Sequence, residues 1–463
     1  MRGSDGEGAT FAGRAEGLPA GPNLHPTDMA QHTGASPPPR EARSMPRTSG
    51  EIIELTLTGM AYGGEAFARE ASGRMVFVPF ALAGERVRAE VIERHKSWAR
   101  ARLAEILDPS PDRIEPRCRH FRACGGCHYQ HAAYSRQVED KASIVRSQLQ
   151  RLGGLADPPI SAGVPSPSPW NTRNHIQFHL TPDGALGFQP WGVSSSDEEF
   201  PVLPISECHL PEPLLNDLWP RLVLDPESGV QRVALRLGAD DEMMVTLQAA
   251  EPPSAEALVE LPASVVWLDP SGASVLAGAD HLPFKVAGLN FRVSADSFFQ
   301  VHTSLAGDLA RHVVAHLEPH PGDHILDLYA GVGLFSAFLA SAGARVTAVE
   351  LSPSACHDFR SNLDAYDRVG LFESSVEQAL PELEGPFEAV VADPPRAGLG
   401  EFAIAELARL SPSRLVYVSC DPATLARDAR SLMSAGFALR EVKPFDLFPQ
   451  TLHIETVSLW ERR

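Results

Sequence analysis

The chain has 463 residues, of which 43% are hydrophobic and 21% charged, and it carries a formal net charge of −19 at pH 7. This length exceeds what one hydrophobic core usually supports, so two or three domains of an ordinary soluble globular protein are expected. No apolar run approaches the roughly 18 residues that a bilayer requires, and the first residues lack the apolar core of a signal peptide. These features argue against a membrane protein, and a cytoplasmic location without membrane partners is expected.

The first 110 residues are predicted to form a disordered tail and then a small β-barrel. Residues 1–48 are rich in Gly, Pro, Ser and Ala and contain few large apolar side chains, so they bury too little surface to offset the entropy of ordering. Residues 49–110 contain short alternating segments, such as EIIELTLTGM and RMVFVPF, separated by turns with glycine. Several short strands with such turns are typical of a barrel of the oligonucleotide-binding kind.

Positive charge is concentrated between Arg86 and Arg151. This stretch holds 14 Lys and Arg against 8 Asp and Glu, a net charge of +6 in an otherwise acidic chain. A nucleic-acid partner requires cations against its phosphates, but an ordinary solvated surface can carry the same charges. On charge alone, the solvated surface is the favoured interpretation.

Residues 111–286 are predicted to form a central domain that contains a cysteine cluster. The segment RCRHFRACGGCHYQH spaces three cysteines as C-x5-C-x2-C and is followed by a helix of about 18 residues from Tyr134. Cysteines in a reducing compartment are more often metal ligands or catalytic groups than disulfide partners. One tight pair with a distant fourth ligand, Cys208, suits a [4Fe–4S] cluster, whereas zinc sites more often show two tight pairs. Neighbouring histidines keep zinc as an alternative: His120, His128 and His131.

From residue 287 to 463, apolar strand-like segments alternate with helical ones. HILDLYA, RVTAVE, FEAVVAD and RLVYVSC predict the strands of a parallel sheet with helices on both faces. The last two segments, FALREVKPFDLF and HIETVSLWERR, lack a helix between them and predict an antiparallel edge. Cys356 lies in a helical segment, where a packing role is expected.

The segment HILDLYAGVGLFSAFLA predicts a strand, a glycine turn and a helix. Gly331 and Gly333 allow a tight turn and the close approach of a ligand to the helix N-terminus. Glu350, 19 positions after Gly331, ends the next strand, where an acidic residue accepts hydrogen bonds from ribose hydroxyls. Because Ser336 replaces the third glycine of a dinucleotide motif and Asp327 precedes the turn, S-adenosylmethionine is favoured over a dinucleotide. The alternative is that the glycines serve only the turn.

Cys420 lies where the strand-like segment RLVYVSC meets a helical one, one strand after Asp393 in VVADPPR. Both residues are therefore expected at the sheet edge that binds the methyl donor. Methylating an amine needs no thiol, whereas C5 of uracil becomes nucleophilic only after a thiolate has added to C6. Arg396, where amine methyltransferases carry an aromatic residue, also points away from amine chemistry. A base must then remove the C5 proton, and Glu455 is the candidate, although alone it would be interpreted as an exposed strand residue.

Five motifs, in their order and spacing, resemble the bacterial RNA 5-methyluridine methyltransferases. They are SFFQ at 297–300, DLYAGVG at 327–333, DPPR at 393–396, SCDPATLARD at 419–428 and DLFPQTLHIE at 446–455. The segment GMAYGGEAFAR is similar to the glycine-rich loop of the TRAM domain that precedes some of these enzymes. The resemblance covers about residues 50–463, everything except the tail.

This resemblance implies an RNA (uracil-5-)-methyltransferase that is closest to those acting on 23S ribosomal RNA, with ribosomal RNA favoured over transfer RNA and a monomer expected. The implied fold class is α/β, with a Rossmann-like methyltransferase sheet behind a TRAM-like barrel and a central α+β domain. Cys420 would be the nucleophile and Glu455 the general base. The S-adenosylmethionine site would include Gln300, Tyr329, Glu350 and Asp393. A [4Fe–4S] cluster, as found in some family members, would be bound by Cys118, Cys124, Cys127 and Cys208.

Two departures and two alternatives accompany the resemblance. Asp421 and His302 stand where the family usually has Asn. A cytosine-C5 RNA methyltransferase would carry a second cysteine after the Asp-Pro-Pro loop, where this chain has Arg396 and Ala397. A non-catalytic RNA-binding iron–sulfur protein with a degenerate methyltransferase domain is disfavoured because Cys420 and Glu455 are both present.

Overall fold

The computed structural model describes residues 50–193, 201–222, 224–253 and 261–463. The predicted disordered tail, residues 1–48, lies outside the described residues. Within these ranges, the strands form one six-stranded sheet, two seven-stranded sheets and a two-stranded hairpin. No helix within these ranges is both long and apolar enough to cross a bilayer.

The N-terminal sheet has the strand order β1-β5-β6-β4-β3-β2 and is barrel-like, as the sequence predicts. Along β5, the side chains of Val87, Ala89 and Val91 are buried and alternate with more exposed residues, so one face of the strand forms the core. The six strands are β1 Ile52–Thr56, β2 Gly59–Met60, β3 Glu65–Arg69, β4 Met75–Pro79, β5 Arg86–Arg94 and β6 Trp98–Asp108.

The predicted helix after the cysteine-rich segment is α1, Tyr134–Arg151. The second sheet follows it and has the order β13-β12-β11-β10-β7-β8-β9, with the short helix α2, Pro213–Leu218, beside it. Its strands are β7 His175–Leu180, β8 Leu186–Phe188, β9 Leu203–Pro204, β10 Val230–Leu237, β11 Met243–Ala249, β12 Ser264–Asp269 and β13 Gly272–Ala277. Next comes a hairpin of β14 His281–Val286 and β15 Leu289–Ser294, and the proposed domain boundary between 286 and 287 lies in its turn.

The C-terminal sheet has the order β18-β17-β16-β19-β20-β22-β21. Strands β16 to β20 run parallel, and β22 inserts antiparallel between β20 and β21. Its strands are β16 His324–Leu328, β17 Arg345–Glu350, β18 Val369–Glu373, β19 Ala389–Ala392, β20 Arg414–Ser419, β21 Phe437–Phe445 and β22 Glu455–Arg462. Its helices are α3 Thr303–Leu317, α4 Leu334–Ser341, α5 Pro353–Leu363, α6 Val376–Ala379, α7 Gly400–Leu410 and α8 Pro422–Ser434.

Both faces of this sheet are buried, which explains why its strands are apolar throughout. Along β20, Leu415 and Tyr417 pack with α7 and α8, while Val416 and Val418 pack with α3 and α4 on the opposite face. The strand order reverses between β16 and β19. Ligands of such sheets bind outside the carboxyl ends of the strands at this reversal, so the fold directs attention to the loops after these strands.

Candidate active site

Cys420 follows directly after β20, at the carboxyl edge of the sheet. In the antiparallel pairing of β20 with β22, Ser419 lies opposite Thr456. The Thr456 hydroxyl also donates a hydrogen bond to the Ser419 carbonyl at 3.0 Å. Continuing this antiparallel register by one residue places Cys420 opposite Glu455, so the two residues lie at the same corner of the sheet.

The Cys420 thiol is partly buried and lies among carboxyl groups. Burial, followed by the nearby carboxylates of Glu455 and Asp393, raises its pKa to about 12, whereas the Arg396 guanidinium acts in the opposite direction. Without a ligand, the residue is therefore a protonated thiol at neutral pH. A bound cation would shift this balance, because positive charge near a thiol favours the thiolate.

Asp421 caps the helix that follows the cysteine. Its Oδ1 accepts hydrogen bonds from the backbone N–H groups of Ala423 and Thr424 at 2.9 and 3.0 Å. Its Oδ2 accepts a hydrogen bond of 2.6 Å from the phenol of Tyr62, in the loop between β2 and β3. An aspartate suits this position because the cap and the dipole of α8 both favour negative charge.

Glu455 is the first residue of β22 and is 4% exposed, so it is not an exposed strand residue. Its Oε1 has no hydrogen-bond partner among the described residues. Burial, followed by the charge of Asp393, raises the pKa of Glu455 well above its ordinary value, and Arg396 opposes this shift. Burial of this kind disfavours the charged form, so the carboxylate, once ionised, is a stronger base than an exposed one.

The backbone after β16 turns sharply and packs closely against α5. Tyr329 adopts a φ of 61°, which is uncommon for a residue other than glycine, and Gly333 adopts 91°. A Cβ at Gly333 would lie 2.6 Å from the Leu363 side chain, so a larger residue does not fit there. Glu350, at the end of β17, accepts a hydrogen bond of 2.8 Å from the N–H of Gly331. The structure thus places Tyr329 and Glu350 beside the same turn at the carboxyl edge of the sheet.

Two carboxyl groups, Asp327 buried and Asp393 partly buried, lie at the ends of the neighbouring strands β16 and β19. Ser336 donates a hydrogen bond of 2.6 Å to Asp327, which explains why the third glycine of a dinucleotide motif is replaced here. Burial raises the pKa of Asp327 to about 7. Burial, together with the charge of Asp327, raises the pKa of Asp393 to about 7 as well. Perturbed carboxyl groups of this kind often mark functional sites.

Gln300 is held in place by the loop that precedes α3. Asp358 of α5 anchors this loop by accepting a hydrogen bond of 2.6 Å from the Ser297 hydroxyl. Gln300 itself is buried, and its side chain makes no hydrogen bond within the described part of the chain, so it can contact a ligand. His302 caps α3, its Nδ1 accepting a hydrogen bond from the N–H of Leu305 at 3.4 Å.

The four cysteines predicted to bind a metal line one cavity of about 330 Å³. None of them forms a disulfide. Burial is the largest cause that raises the pKa of Cys127 to about 12 and that of Cys208 to about 11. The buried guanidinium of Arg173 acts on both thiols in the opposite direction. The chain thus joins distant segments into one thiol-lined site with a compensating positive charge.

The spacing of these sulfur atoms distinguishes between two metal centres. Among the described residues, one set of three potential metal-ligand atoms lies within 4.8 Å of one another, and it contains none of these cysteines. No three of the four sulfur atoms are therefore that close. A tetrahedral zinc ion, about 2.3 Å from each sulfur, would bring its ligands within about 4 Å. A [4Fe–4S] cluster binds each cysteine at a different iron and separates the ligands further. The sulfur atoms thus lie further apart than the ligands of a bound zinc ion would.

The basic stretch between residues 86 and 151 is mostly neutralised within the protein. Arg88 contacts Glu54 at 2.9 Å and Glu105 at 2.8 Å across the N-terminal sheet. Ten of its 14 basic residues form ion pairs of this kind. Within the described ranges, the exceptions are Lys96, Arg117, Arg122 and Arg151. The solvated surface favoured on charge alone thus describes most of this stretch.

Two residues at the candidate site have roles that the sequence did not indicate. Arg396 lies near both Cys420 and Glu455, and its guanidinium donates a hydrogen bond of 2.9 Å to Nδ1 of His453. Tyr62 reaches the site from the N-terminal sheet. The Asp-Pro sequence at 421–422 is a typical helix start, so the cap could have been predicted, but no local pattern points to Tyr62.

Comparison with known proteins identifies the same two regions. A family model described as tRNA (uracil-5-)-methyltransferase matches residues 279–463, and a TRAM domain model matches residues 46–104. An uncharacterized RNA methyltransferase from Streptomyces avermitilis is 35% identical over 443 residues, covering 89% of this chain and 98% of the relative. A similar relative from Aquifex aeolicus is 32% identical, covering 88% of this chain and 98% of its own length.

A solved structure shares the arrangement of most of the chain. The Pyrococcus abyssi tRNA (uracil-54, C5)-methyltransferase in complex with S-adenosyl-L-homocysteine superimposes with a TM-score of 0.69. It is 26% identical and covers 88% of this chain and 100% of its own. The sheet order, the geometry of the carboxyl edge and these similarities agree. The chain therefore belongs to the RNA (uracil-5-)-methyltransferase family and is an S-adenosylmethionine-dependent RNA methyltransferase with an N-terminal TRAM domain.

Proposed function

We propose that the protein methylates C5 of uracil in RNA through a covalent bond between Cys420 and C6 of the base. The observation that carries this proposal is the register of β20 and β22, which sets Cys420 opposite the buried Glu455 beside Asp393. A thiol and a carboxyl group at one corner are what an addition and elimination at a pyrimidine ring require.

In the proposed reaction, the thiolate of Cys420 adds to C6 and the electron pair of the C5–C6 double bond moves onto the ring as an enolate. S-adenosylmethionine supplies an electrophilic methyl group, which C5 accepts. Glu455 then takes the proton from C5, the double bond re-forms and the sulfur of Cys420 leaves C6. The carboxyl group loses this proton to solvent before the next cycle, so the protein is regenerated.

The positive charge of bound S-adenosylmethionine would favour the thiolate form of Cys420. The pKa of Cys420 is raised in the ligand-free protein, and neighbouring carboxylates contribute to that increase. A sulfonium cation near Asp393, together with Arg396, would offset those negative charges and lower the pKa of the thiol. The nucleophile would then form mainly when the methyl donor is present.

The residues proposed to bind S-adenosylmethionine differ in the groups that they offer. Glu350 would accept hydrogen bonds from the ribose hydroxyls, in place of the Gly331 N–H that it now binds. Asp393 would face the sulfonium, while Gln300 and Tyr329 would line the remaining crevice. Gly331, beside which the structure is open, allows the ligand to approach the N-terminus of α4 closely.

We further propose that Cys118, Cys124, Cys127 and Cys208 bind a [4Fe–4S] cluster. When bound, it would supply a rigid link between the cysteine-rich segment and the loop at Cys208. The methyl transfer balances without electron transfer, so the proposed role is structural or one of positioning RNA. Free cysteines in all these positions also support a location in the reducing cytoplasm.

The RNA substrate is proposed to be ribosomal RNA rather than transfer RNA, on the basis of the TRAM domain and the cysteine cavity. A uracil must present both faces of its C5–C6 bond to thiol and methyl donor, so a base within a folded RNA would be flipped out of its stack. Arg117 and Arg122 are exposed, lack ion pairs within the described ranges and flank the cysteines, so they are candidates for phosphate contacts.

The test compares 5-methyluridine in ribosomal and transfer RNA from cells with and without the gene. We expect one or more sites to lose the modification and to regain it on expression of the wild-type protein but not of Cys420→Ala. Purified wild-type protein should also form a covalent adduct with RNA that contains 5-fluorouridine, because fluorine at C5 cannot leave as a proton does. Turnover by Cys420→Ala comparable to wild type would overturn the covalent mechanism.

A further inference from the structure

A second group of potential ligands lies away from the candidate active site, between α3 and the edge strand β21. His312 and His316 are one turn apart on α3, and Glu441 lies on β21. Nε2 of His316 is 3.0 Å from Nε2 of His312 and 2.9 Å from Oε2 of Glu441. These three ligand atoms all lie within 4.8 Å of one another, the only such trio in the part of the chain that the structure describes.

A β-bulge directs Glu441 toward the histidines. Leu439 pairs with Trp460, whereas Glu441 pairs with the adjacent Leu459, so Arg440 is an extra residue in the edge strand. Leu439 packs with the layer of α1 and α8, on the face opposite α3. The bulge shifts the alternation by one residue and so places Glu441 on the α3 face. On the same face, Phe445 contacts the ring of His312, with centroids 5.3 Å apart.

Hydrogen bonding alone does not satisfy the three converging atoms. A neutral imidazole carries a single N–H, and a proton on Nε2 of His316 cannot be donated fully to both His312 and Glu441. If both Nε2 atoms carried protons, the two N–H groups would face each other at 3.0 Å. A cation at the centre would instead accept one lone pair from each group. The second carboxylate oxygen of Glu441 already accepts a hydrogen bond from Ser161, as is common for a metal-binding carboxylate.

We propose that His312, His316 and Glu441 bind a divalent transition-metal ion, with zinc as the ion best suited to two imidazoles, one carboxylate and a water molecule. Each of the three residues is partly exposed, so the ion has access from solvent. Residues 160–164 form parallel bridges with β21 through Ile160 and Val164. The ion would therefore link α3, the edge strand and this segment, independently of methyl transfer.

Cobalt(II) serves as the probe, because it distinguishes this site from the cysteine cavity. Wild-type protein, with its cysteines occupied by the cluster or blocked by alkylation, is expected to bind one equivalent with visible d–d absorption and no sulfur-to-metal charge transfer. His316→Gln and Glu441→Gln should weaken this binding by more than about 100-fold, and Ser161→Ala by about 10-fold. Lys443→Gln should strengthen it, since the positive charge of the ammonium acts on Glu441 and opposes the binding of a cation there.

The matched control is His320→Gln, which removes an exposed histidine just after α3 and should leave cobalt binding unchanged. Zinc should raise the melting temperature of the wild type but not that of the two ligand variants. Circular dichroism verifies that each variant is folded, and Glu441→Gln preserves the size of the side chain if a histidine variant unfolds. Equal cobalt binding by wild type and folded Glu441→Gln, or spectra dominated by thiolate ligands, would overturn the proposal.

Discussion

Charged side chains are paired on the surface of the N-terminal sheet, whereas two buried acidic side chains at the carboxyl edge of the C-terminal sheet lack ion-pair partners within the described ranges. On the N-terminal sheet, exposed arginines pair with acidic residues on adjacent strands, as Arg88 does with Glu54 and Glu105. At the carboxyl edge, the buried carboxyl groups of Asp327 and Glu455 each leave an oxygen without a hydrogen-bond partner among the described residues.

This difference locates the functional part of the molecule. Exposed ion pairs contribute little, about 0–1 kcal/mol each, so they serve mainly solubility and surface complementarity. A carboxylate is costly to bury without a cation, and the pKa values of Asp327 and Asp393 are raised to about 7 for this reason. An edge of this kind is prepared for a positively charged ligand, and a sulfonium compound supplies that charge.

Glu455→Gln should have the largest effect among variants that test this comparison. Glutamine keeps the size of the side chain but cannot accept the C5 proton, so we expect turnover to fall by about 100- to 10,000-fold. The covalent RNA–protein adduct should accumulate with ordinary uridine, because addition proceeds and elimination does not. Steady-state methylation and denaturing gel electrophoresis measure the two effects.

The control for this variant is Glu461→Gln on the same strand, where the carboxylate pairs with Arg440 at the surface. It should methylate RNA at the wild-type rate. Normal turnover by Glu455→Gln, or loss of activity without any trapped adduct, would show that the base is another group.

The affinity for S-adenosylmethionine should depend on pH through Asp393. The pKa of this carboxyl group is raised to about 7, so it is mainly protonated below that pH and ionised above it. Because a sulfonium prefers the ionised form, affinity should rise as the pH increases through about 7, by up to about tenfold per pH unit on the acidic side. Calorimetric titration between pH 5.5 and 8.5, roughly one and a half units on either side, measures this slope.

Asp393→Asn should bind S-adenosylmethionine weakly and with little pH dependence across the same range. Asp367→Asn, an exposed residue before β18, is the matched control and should retain the slope. A wild-type affinity that is flat with pH, or a slope that persists in Asp393→Asn, would assign the titration to a different group.

The C-terminal sheet could be predicted from the sequence because its strands are apolar throughout and its helices separate them regularly. The N-terminal barrel was predicted as a unit, but β6 was not recognised as a separate strand. Bulges opposite β5 interrupt its alternation, which removes the local signal. The order of the central sheet could not be predicted either, because β10 pairs with β7, from which it is separated by more than 40 residues of chain.

In the candidate site, too, residues within local motifs could be predicted, whereas contacts between distant parts of the chain could not. The motifs indicated Cys420 and Glu455, but the burial of Glu455 depends on the insertion of β22 between β20 and β21, which no pattern around residue 455 reveals. The contact of Tyr62 with Asp421 joins positions 359 residues apart. Interactions of this kind follow from the packing of domains, so they become visible only in the folded chain.

Tyr62→Phe tests whether the N-terminal sheet supports catalysis at the carboxyl edge of the C-terminal sheet. The variant removes the hydroxyl that binds Asp421 but leaves the helix cap intact, so we expect turnover to fall about 2- to 10-fold, from a loss of about 0.5–1.5 kcal/mol. Because Tyr62 acts by positioning the loop, adduct formation with 5-fluorouridine RNA should slow while the affinity for S-adenosylmethionine stays constant. Tyr366→Phe, whose hydroxyl contacts Ser341, is the control. An unchanged rate of adduct formation would make the contact purely structural.

The smallest effect is expected from breaking an ion pair on the N-terminal sheet. This variant tests whether paired and unpaired arginines differ in their contribution to RNA binding. Arg88→Ala should change the free energy of unfolding by no more than about 1 kcal/mol and leave RNA affinity unchanged, because its charge is already matched by Glu54 and Glu105. Arg122→Ala, beside the cysteines, should weaken RNA binding and reduce the slope of its salt dependence by about 1. If Arg88→Ala reduced that slope as much as Arg122→Ala, the paired arginines would exchange their carboxylates for phosphates on binding, and the N-terminal sheet would share the phosphate contacts proposed for Arg117 and Arg122.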